Sequence, residues 1–146
     1  MARAKKPKRR HRNLVRLFDK VNELHFGGTV CGGIGWRYIP IGEASVTQAT
    51  CTLEERFIKV NTLLDDSRVP MWYLEFVVFH EMLHLHLGHK HYTDDISEKD
   101  HTPRFNSLEK RHPKYERACE YEEKKLPYIA SCWRRWREHE RRKRNL

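Results

Sequence analysis

Cysteine is scarce in this chain of 146 residues, and its four copies, Cys31, Cys51, Cys119 and Cys132, form no CxxC pair. No spacing among them suggests a zinc ribbon, and a disulfide framework is the weaker reading; the thiols are expected to be reduced. A long apolar run is also missing. The longest candidate, residues 71–87, is interrupted by Glu75, Glu81 and three histidines, and it is short for a membrane span. The opening MARAKKPKRRHR is followed by no apolar stretch of the kind a secretory signal needs. These absences lead to the expectation of a cytoplasmic protein with no membrane partner. No internal repeat is visible. Apolar residues make up 38%, low for a compact globule but above a disordered composition, and the length suits one domain with a core.

Acidic residues are absent from one place in particular. Residues 1–12 carry seven Lys/Arg and no acid, and residues 134–146 carry seven against Glu138 and Glu140. Between them, residues 13–133 hold 15 Lys/Arg and 18 Asp/Glu, so the central part is mildly acidic although the whole chain is +9. Basic ends attract phosphate backbones without reading sequence. Lys5, Lys6, Lys8, Arg9, Arg10, Arg134, Arg135 and Arg137 are the candidate nucleic-acid contacts, and localisation at a nucleoid fits the same charge. The alternative is a pair of solvated tails, with Trp133 and Trp136 packing the last helix on the core instead of stacking on bases. The organisation expected is a basic arm over 1–12, one domain over 13–128 and a basic helix or tail over 129–146.

Helical spacing of Leu14, Leu17, Phe18, Val21 and Leu24 predicts an amphipathic helix, started by Asn13 and stopped by Gly27-Gly28. GIGWRYIPIG, ASVTQATCTL and RFIKVNTLL read as strands, joined by connections short enough for antiparallel neighbours. Pro70 suits the first position of a second helix, with Asp65, Asp66 and Ser67 on its N-terminal side and Gly88 as its stop. This helix is apolar nearly all round, so it is expected to be central and buried. A polar loop follows. Thr102 and Pro103 open a third helix, Pro113 resets the chain into a fourth that Pro127 ends, and SCWRRWREHERRKR closes as a basic helix.

The chemistry lies in FVVFHEMLHLHLGHKHY, residues 76–92, where an apolar segment takes in one glutamate and five histidines. His80, Glu81 and His84 form H-E-x-x-H. On a helix, residues i and i+4 share a face, so both imidazoles can reach one ion. A catalytic zinc takes three protein ligands and keeps one position for water, and Glu81 would exchange protons with that water. A third ligand is needed. His91 and Gly88 each fall one residue late for the H-E-x-x-H-x-x-G-x-x-H pattern, and His89 has only proximity in its favour. His101 opens the following helix, from which a side chain can point back, and is preferred. His86 faces away from the His80/His84 stripe. His11, His25, His112 and His139 show no supporting pattern. Tyr92 and Tyr115 are near enough to be weighed as oxyanion donors, but neither is assigned.

VNELHFGG, FIKVN, VVFHEMLHL and HTPRFNSLEKRHPKY, in this order, resemble the SprT-like zinc metalloproteases, a group that includes Spartan; the similarity runs from residue 14 to about 125. The resemblance implies an α+β, zincin-like single domain. In it a small antiparallel sheet packs against the H-E-x-x-H helix, and the basic tails lie outside. It implies one Zn2+ per chain on His80, His84 and His101, with Glu81 as catalytic acid/base. The activity implied is hydrolysis of peptide bonds by Glu81-assisted attack of a zinc-bound water, with DNA-bound proteins as one class of substrate. Many members of the group carry a C-terminal zinc ribbon that has no counterpart here. Two alternatives of another kind stand beside this: a nucleic-acid-binding protein with a structural zinc, and a zinc hydrolase of a non-peptide substrate.

Overall fold

The computed structural model describes residues 5–43, 45–88 and 101–145. In chain order these form α1 (Leu14–Phe26), β1 (Gly33–Arg37), β2 (Ala49–Thr52), β3 (Phe57–Asn61), a single 3-10 turn (Thr62–Asp65), α2 (Met71–Leu87), α3 (Pro103–Lys110), α4 (Tyr115–Lys124) and α5 (Leu126–Arg144). The result is a small α+β domain built on a three-stranded sheet. None of the helices described is long and apolar enough to cross a membrane.

α1 begins where Asn13 accepts a hydrogen bond from the Arg16 amide at 3.0 Å, and it ends at Gly27, which takes a left-handed conformation with φ 59°. Its buried stripe is Leu14, Leu17, Phe18 and Val21, as the spacing predicts. Leu24 departs from expectation and is 66% exposed. In the last turn the stripe swings towards Asn22 and Phe26. Asn22 is drawn inward because its side chain closes the next loop, donating to the Val30 carbonyl at 2.8 Å and accepting from the Val30 amide at 3.0 Å.

The sheet order is β1-β3-β2, and it corrects the expected antiparallel arrangement. β2 and β3 are antiparallel, with Ala49 opposite Val60 and Thr52 opposite Phe57. β1 and β3 are parallel, with Gly33 opposite Phe57 and Trp36 opposite Val60. β2 lies on the far side of β3, so β1 meets the third strand instead of the second. Side-chain fit favours this pairing. A Cβ on Gly33 would lie 2.8 Å from the Phe57 ring, so only glycine lets that ring lie over β1. Ile58 and Val60 of the central strand are fully buried.

α2 is the centre of the molecule and touches α1, β2, β3, α3 and α4. Leu74, Val78 and Met82 are fully buried, and each contributes roughly 1.5–3 kcal/mol by leaving water. Pro70 occupies the cap position, one residue before the place expected, and Gly88 ends the helix with φ 58°.

Asp65 and Asp66 do not cap α2. Both are fully buried, and they tie the chain's two basic ends to the domain. Asp65 accepts from Arg9 Nε (3.0 Å) and from the amides of His11 (2.9 Å) and Arg12 (3.1 Å). Asp66 accepts from the Trp133 indole at 2.7 Å and pairs with Arg68 at 2.9 Å. Backbone bonds between Lys8 and Ser67 and between Arg10 and Asp65 complete the seam. α5 starts with Pro127 in its first turn and buries Leu126, Ile129, Ala130 and Trp133, so this helix runs through residue 128. Trp133 packs on the core, as the structural reading of the tryptophans held. All four cysteines are free thiols.

Candidate metal centre

α2 places His80 and His84 one turn apart, and α3 brings the third imidazole to them. Thr102 caps α3 by accepting from the Phe105 amide at 3.2 Å, and Pro103 stands in its first turn. His101 therefore sits just ahead of a well-started helix that packs against α2. One possible ligand atom from each of His80, His84 and His101 lies within 4.8 Å of the others. The Nε2 atoms of His84 and His101 are 3.2 Å apart. Two nitrogens bound about 2.0–2.1 Å from one tetrahedral ion would be about 3.3 Å apart, so this pair already has the spacing of metal ligands. Imidazole is a donor that suits zinc, copper, iron and nickel, and the three residues can hold one such ion.

The surroundings hold this geometry. Phe105 is fully buried and stacks on His84, centroids 4.4 Å apart. The same ring lies 4.9 Å from His101 and 5.0 Å from His80, so one side chain braces all three imidazoles. His84 is only 1% exposed. His80 Nδ1 hydrogen-bonds to Glu109 Oε2, leaving its other ring nitrogen for the cluster. Burial alone would lower the His80 pKa. The Glu109 hydrogen bond and the charges of Glu81, Glu109 and Glu122 outweigh it, so the net shift is upward.

Glu81 is buried beside the cluster, and its Oε2 has no hydrogen-bond partner among the described residues. Burial pushes its pKa up to about 7, with His80 opposing and Glu109 adding to the rise. A carboxyl kept dry and poised near neutrality can both take and give a proton.

The cluster opens into a cleft of about 310 Å³ whose lining includes residues 46–49, Tyr73, His80, Glu81, His101 and Glu122. Residues 46–49 lead into β2, an edge strand of the described sheet. Gln48 accepts a short hydrogen bond from the Tyr73 hydroxyl there. Val46, Gln48 and Glu122 are shared with a second groove of about 420 Å³ that runs towards α5, so the site extends beyond one pocket.

His80, Glu81, His84 and His101 thus come together. His89, His91 and Tyr92 lie outside the described residues. Tyr115 packs against Phe76 with centroids 6.2 Å apart and does not line the cleft. His86 is exposed, its ring 5.1 Å from Phe26. Glu109 is the residue that sequence reasoning missed. It lies four positions after Phe105, on the face of α3 that meets the cluster, but that spacing becomes a signal only once Phe105 is known to pack against the histidines.

The candidate nucleic-acid contacts divide. Lys6, Lys8, Arg9 and Arg137 line one groove between the N-terminal arm and α5, whereas Lys5, Arg10, Arg134 and Arg135 do not. Arg134 instead reaches towards the Gly42 carbonyl at 3.5 Å, beside the groove that joins the histidine cleft. Comparison of this chain with protein-family models, with curated proteins and with solved structures finds no match, so its function is to be read from the site.

Proposed function

We propose that this chain is a zinc-dependent endopeptidase, with a zincin-like active site and a kinship to the SprT-like metalloproteases that its motifs resemble. The observation that carries the reading is the meeting of His80, His84 and His101 beside the buried Glu81 carboxylate, whose Oε2 has no hydrogen-bond partner among the described residues. Three nitrogen ligands with room for a fourth position are the donor set of a catalytic zinc site. When bound, the ion supplies a Lewis acid for the scissile carbonyl and lowers the pKa of water.

The chain's own residues do the rest. Glu109 fixes the ring of His80, and Phe105 keeps water from the rear of the imidazoles. Glu81 takes a proton from the attacking water as its oxygen bonds to the carbonyl carbon. It then delivers that proton to the leaving amine nitrogen as the C–N bond breaks. The cleft favours a peptide over a small substrate. One wall is the stretch leading into an edge strand, where an extended chain can add main-chain hydrogen bonds, and a second groove continues it.

Elemental analysis and cleavage of an unfolded protein substrate test this together. Wild type should hold about one zinc per chain and cleave; Glu81→Gln should keep the metal and lose cleavage by at least about a hundredfold. A folded wild type that binds no zinc, or a Glu81→Gln variant that cleaves at the wild-type rate, overturns the proposal.

A further inference from the structure

The cleft beside the histidines holds one ionised group that neither the metal cluster nor the proton transfer employs. That group is Glu122, on α4. Apart from the histidines and Glu81, it is the single charged residue in the lining. Among the described residues Glu122 has no ion pair with a lysine or arginine, whereas Glu120 on the same helix pairs with Lys124 at 3.2 Å.

The position of this carboxylate is set from behind. Tyr73 is buried, and its hydroxyl donates a short hydrogen bond to Gln48 Oε1. That contact turns the Gln48 amide N–H groups the other way, and a side-chain hydrogen bond from Gln48 reaches Glu122. The Gln48 carbonyl is itself pinned, accepting from the amide of fully buried Asn61 at 2.9 Å. A carboxylate has about four acceptor sites, so Glu122 can take a further donor. Val46, Phe76 and Val77 supply apolar lining in the same cleft. Val46, Gln48 and Glu122 also line the adjoining groove and so mark the junction of the two. In that groove Arg134 is the one basic lining residue, its guanidinium turned to the Gly42 carbonyl at 3.5 Å, and Glu43 adds a second acid.

We infer that this junction is a specificity subsite for a lysine or arginine side chain of the substrate, with Glu122 as the residue that selects it. Apolar lining suits the methylene stem of such a side chain, and a fixed carboxylate receives its charged head. An acidic side chain there would meet like charge, and an uncharged one forgoes the ion pair. The inference rests on the peptidase reading and deepens it: the bonds cleaved should stand at a fixed offset from a basic residue.

The test uses labelled decapeptides of Gly, Ser and Ala that carry one Lys, norleucine or Glu, moved through the positions in turn. Norleucine keeps the stem of lysine and removes its charge. Wild type should favour Lys over norleucine at one position by about fivefold in kcat/KM, as for a partly exposed ion pair, and less in high salt. Glu122→Gln keeps the shape and should abolish that ratio, and Glu122→Lys should shift the preference to Glu. Glu123→Gln, on an exposed neighbouring position, should keep the wild-type ratio. A ratio is read because a loss of folding or of zinc lowers cleavage of all peptides alike. Binding of the same peptides to the zinc form of Glu81→Gln, followed by fluorescence anisotropy, gives a readout that needs no cleavage. Binding that favours Lys through Glu122, with no peptide cleaved by wild type, would uphold the subsite and overturn the peptidase reading. Equal treatment of Lys and norleucine by wild type at all positions overturns the inference. So does a Glu122→Gln variant with the wild-type ratio, or cleavage of an unfolded protein at no fixed offset from Lys or Arg.

Discussion

Glu109→Gln gives the sharpest test of how the cluster is organised. The Glu109 carboxylate meets His80 Nδ1 in a short contact, and both side chains are largely sheltered, His80 26% and Glu109 14% exposed. The bond is charge-assisted, and it selects the ring orientation that turns the other nitrogen towards His84 and His101. Gln can still accept a hydrogen bond through its carbonyl but carries no charge. Glu109→Asp keeps the charge but is one methylene too short to reach without movement. Removing such a partner ordinarily weakens metal binding about 10–100-fold, which is about 1.4–2.7 kcal/mol. Zinc affinity measured by competition with a chromophoric chelator should therefore fall within that range in Glu109→Gln and in Glu109→Asp. The visible spectrum of the cobalt-substituted protein should shift as well, because a mispositioned imidazole changes the ligand field. The melting temperature of the metal-free protein should change less than that of the zinc form, since the effect lies in the bound state. If Glu109→Gln binds zinc as tightly as wild type with an unaltered cobalt spectrum, then Glu109 does not orient His80, or His80 is not a ligand.

Other consequences can be checked with stability measurements. Phe105→Ala removes a fully buried ring that touches three imidazoles and should cost about 3–5 kcal/mol in urea melts of the metal-free chain; a loss below about 1 kcal/mol would refute its bracing role. Asp65→Asn leaves Arg9 unpaired and weakens two amide bonds, so we expect a loss of about 2–4 kcal/mol and faster tryptic cleavage after Lys8 or Arg9; an equally protected arm would refute the anchoring. His112 is pushed down to about 4, first by burial and then by the charges of His25 and Lys114. Its Nδ1 also accepts the Lys114 amide at 3.1 Å, a bond that protonation would break. Because the folded pKa lies below the unfolded value near 6.5, the unfolded chain takes the proton first, and stability should fall as pH drops from about 6.5 to about 4. The ring is partly solvated, which limits the loss to about 1–2 kcal/mol. His112→Asn, with an acceptor in place of Nδ1, should flatten that part of the pH profile, and an unchanged slope would refute the assignment.

The parts of this fold that were legible in the sequence are those set by local chemistry. Asn13 and Gly27 bound α1, Gly88 stops α2, and Thr102-Pro103 starts α3, because a cap needs only its own few residues. The all-round apolar surface of α2 announced its central position for the same reason. The sheet was not legible to that degree. The parallel β1–β3 pair depends on Gly33 making room for Phe57, more than twenty positions away, and no local pattern encodes such a fit. Asp65 and Asp66 show a related limit. Beside a helix start they look like capping residues, but their buried carboxylates are directed to the arm and to Trp133 because those donors arrive from both ends of the chain.

The candidate site divides along the same line. His80 and His84 were legible from helical spacing, and His101 from its place ahead of a well-capped helix. Glu109 was not, because an acid on a polar helix resembles Glu116, Glu120 and Glu123, which face solvent. Only the packing of α3 on α2 turns one of these similar carboxylates towards an imidazole. The charge of the two chain ends was equally plain in the sequence, but charge alone could not say whether the ends meet. They meet because two adjacent buried aspartates each take one end, Asp65 the arm and Asp66 the helix. Two runs of like charge repel, so bringing them together costs free energy, which hydrogen bonds to fully buried carboxylates offset. A fold that accepts this cost holds its cations in one place, and a polyanion that bridges arm and helix would relieve the repulsion the fold maintains. Binding such an anion should therefore raise the melting temperature of wild type more than that of Asp65→Asn, in which the arm is released.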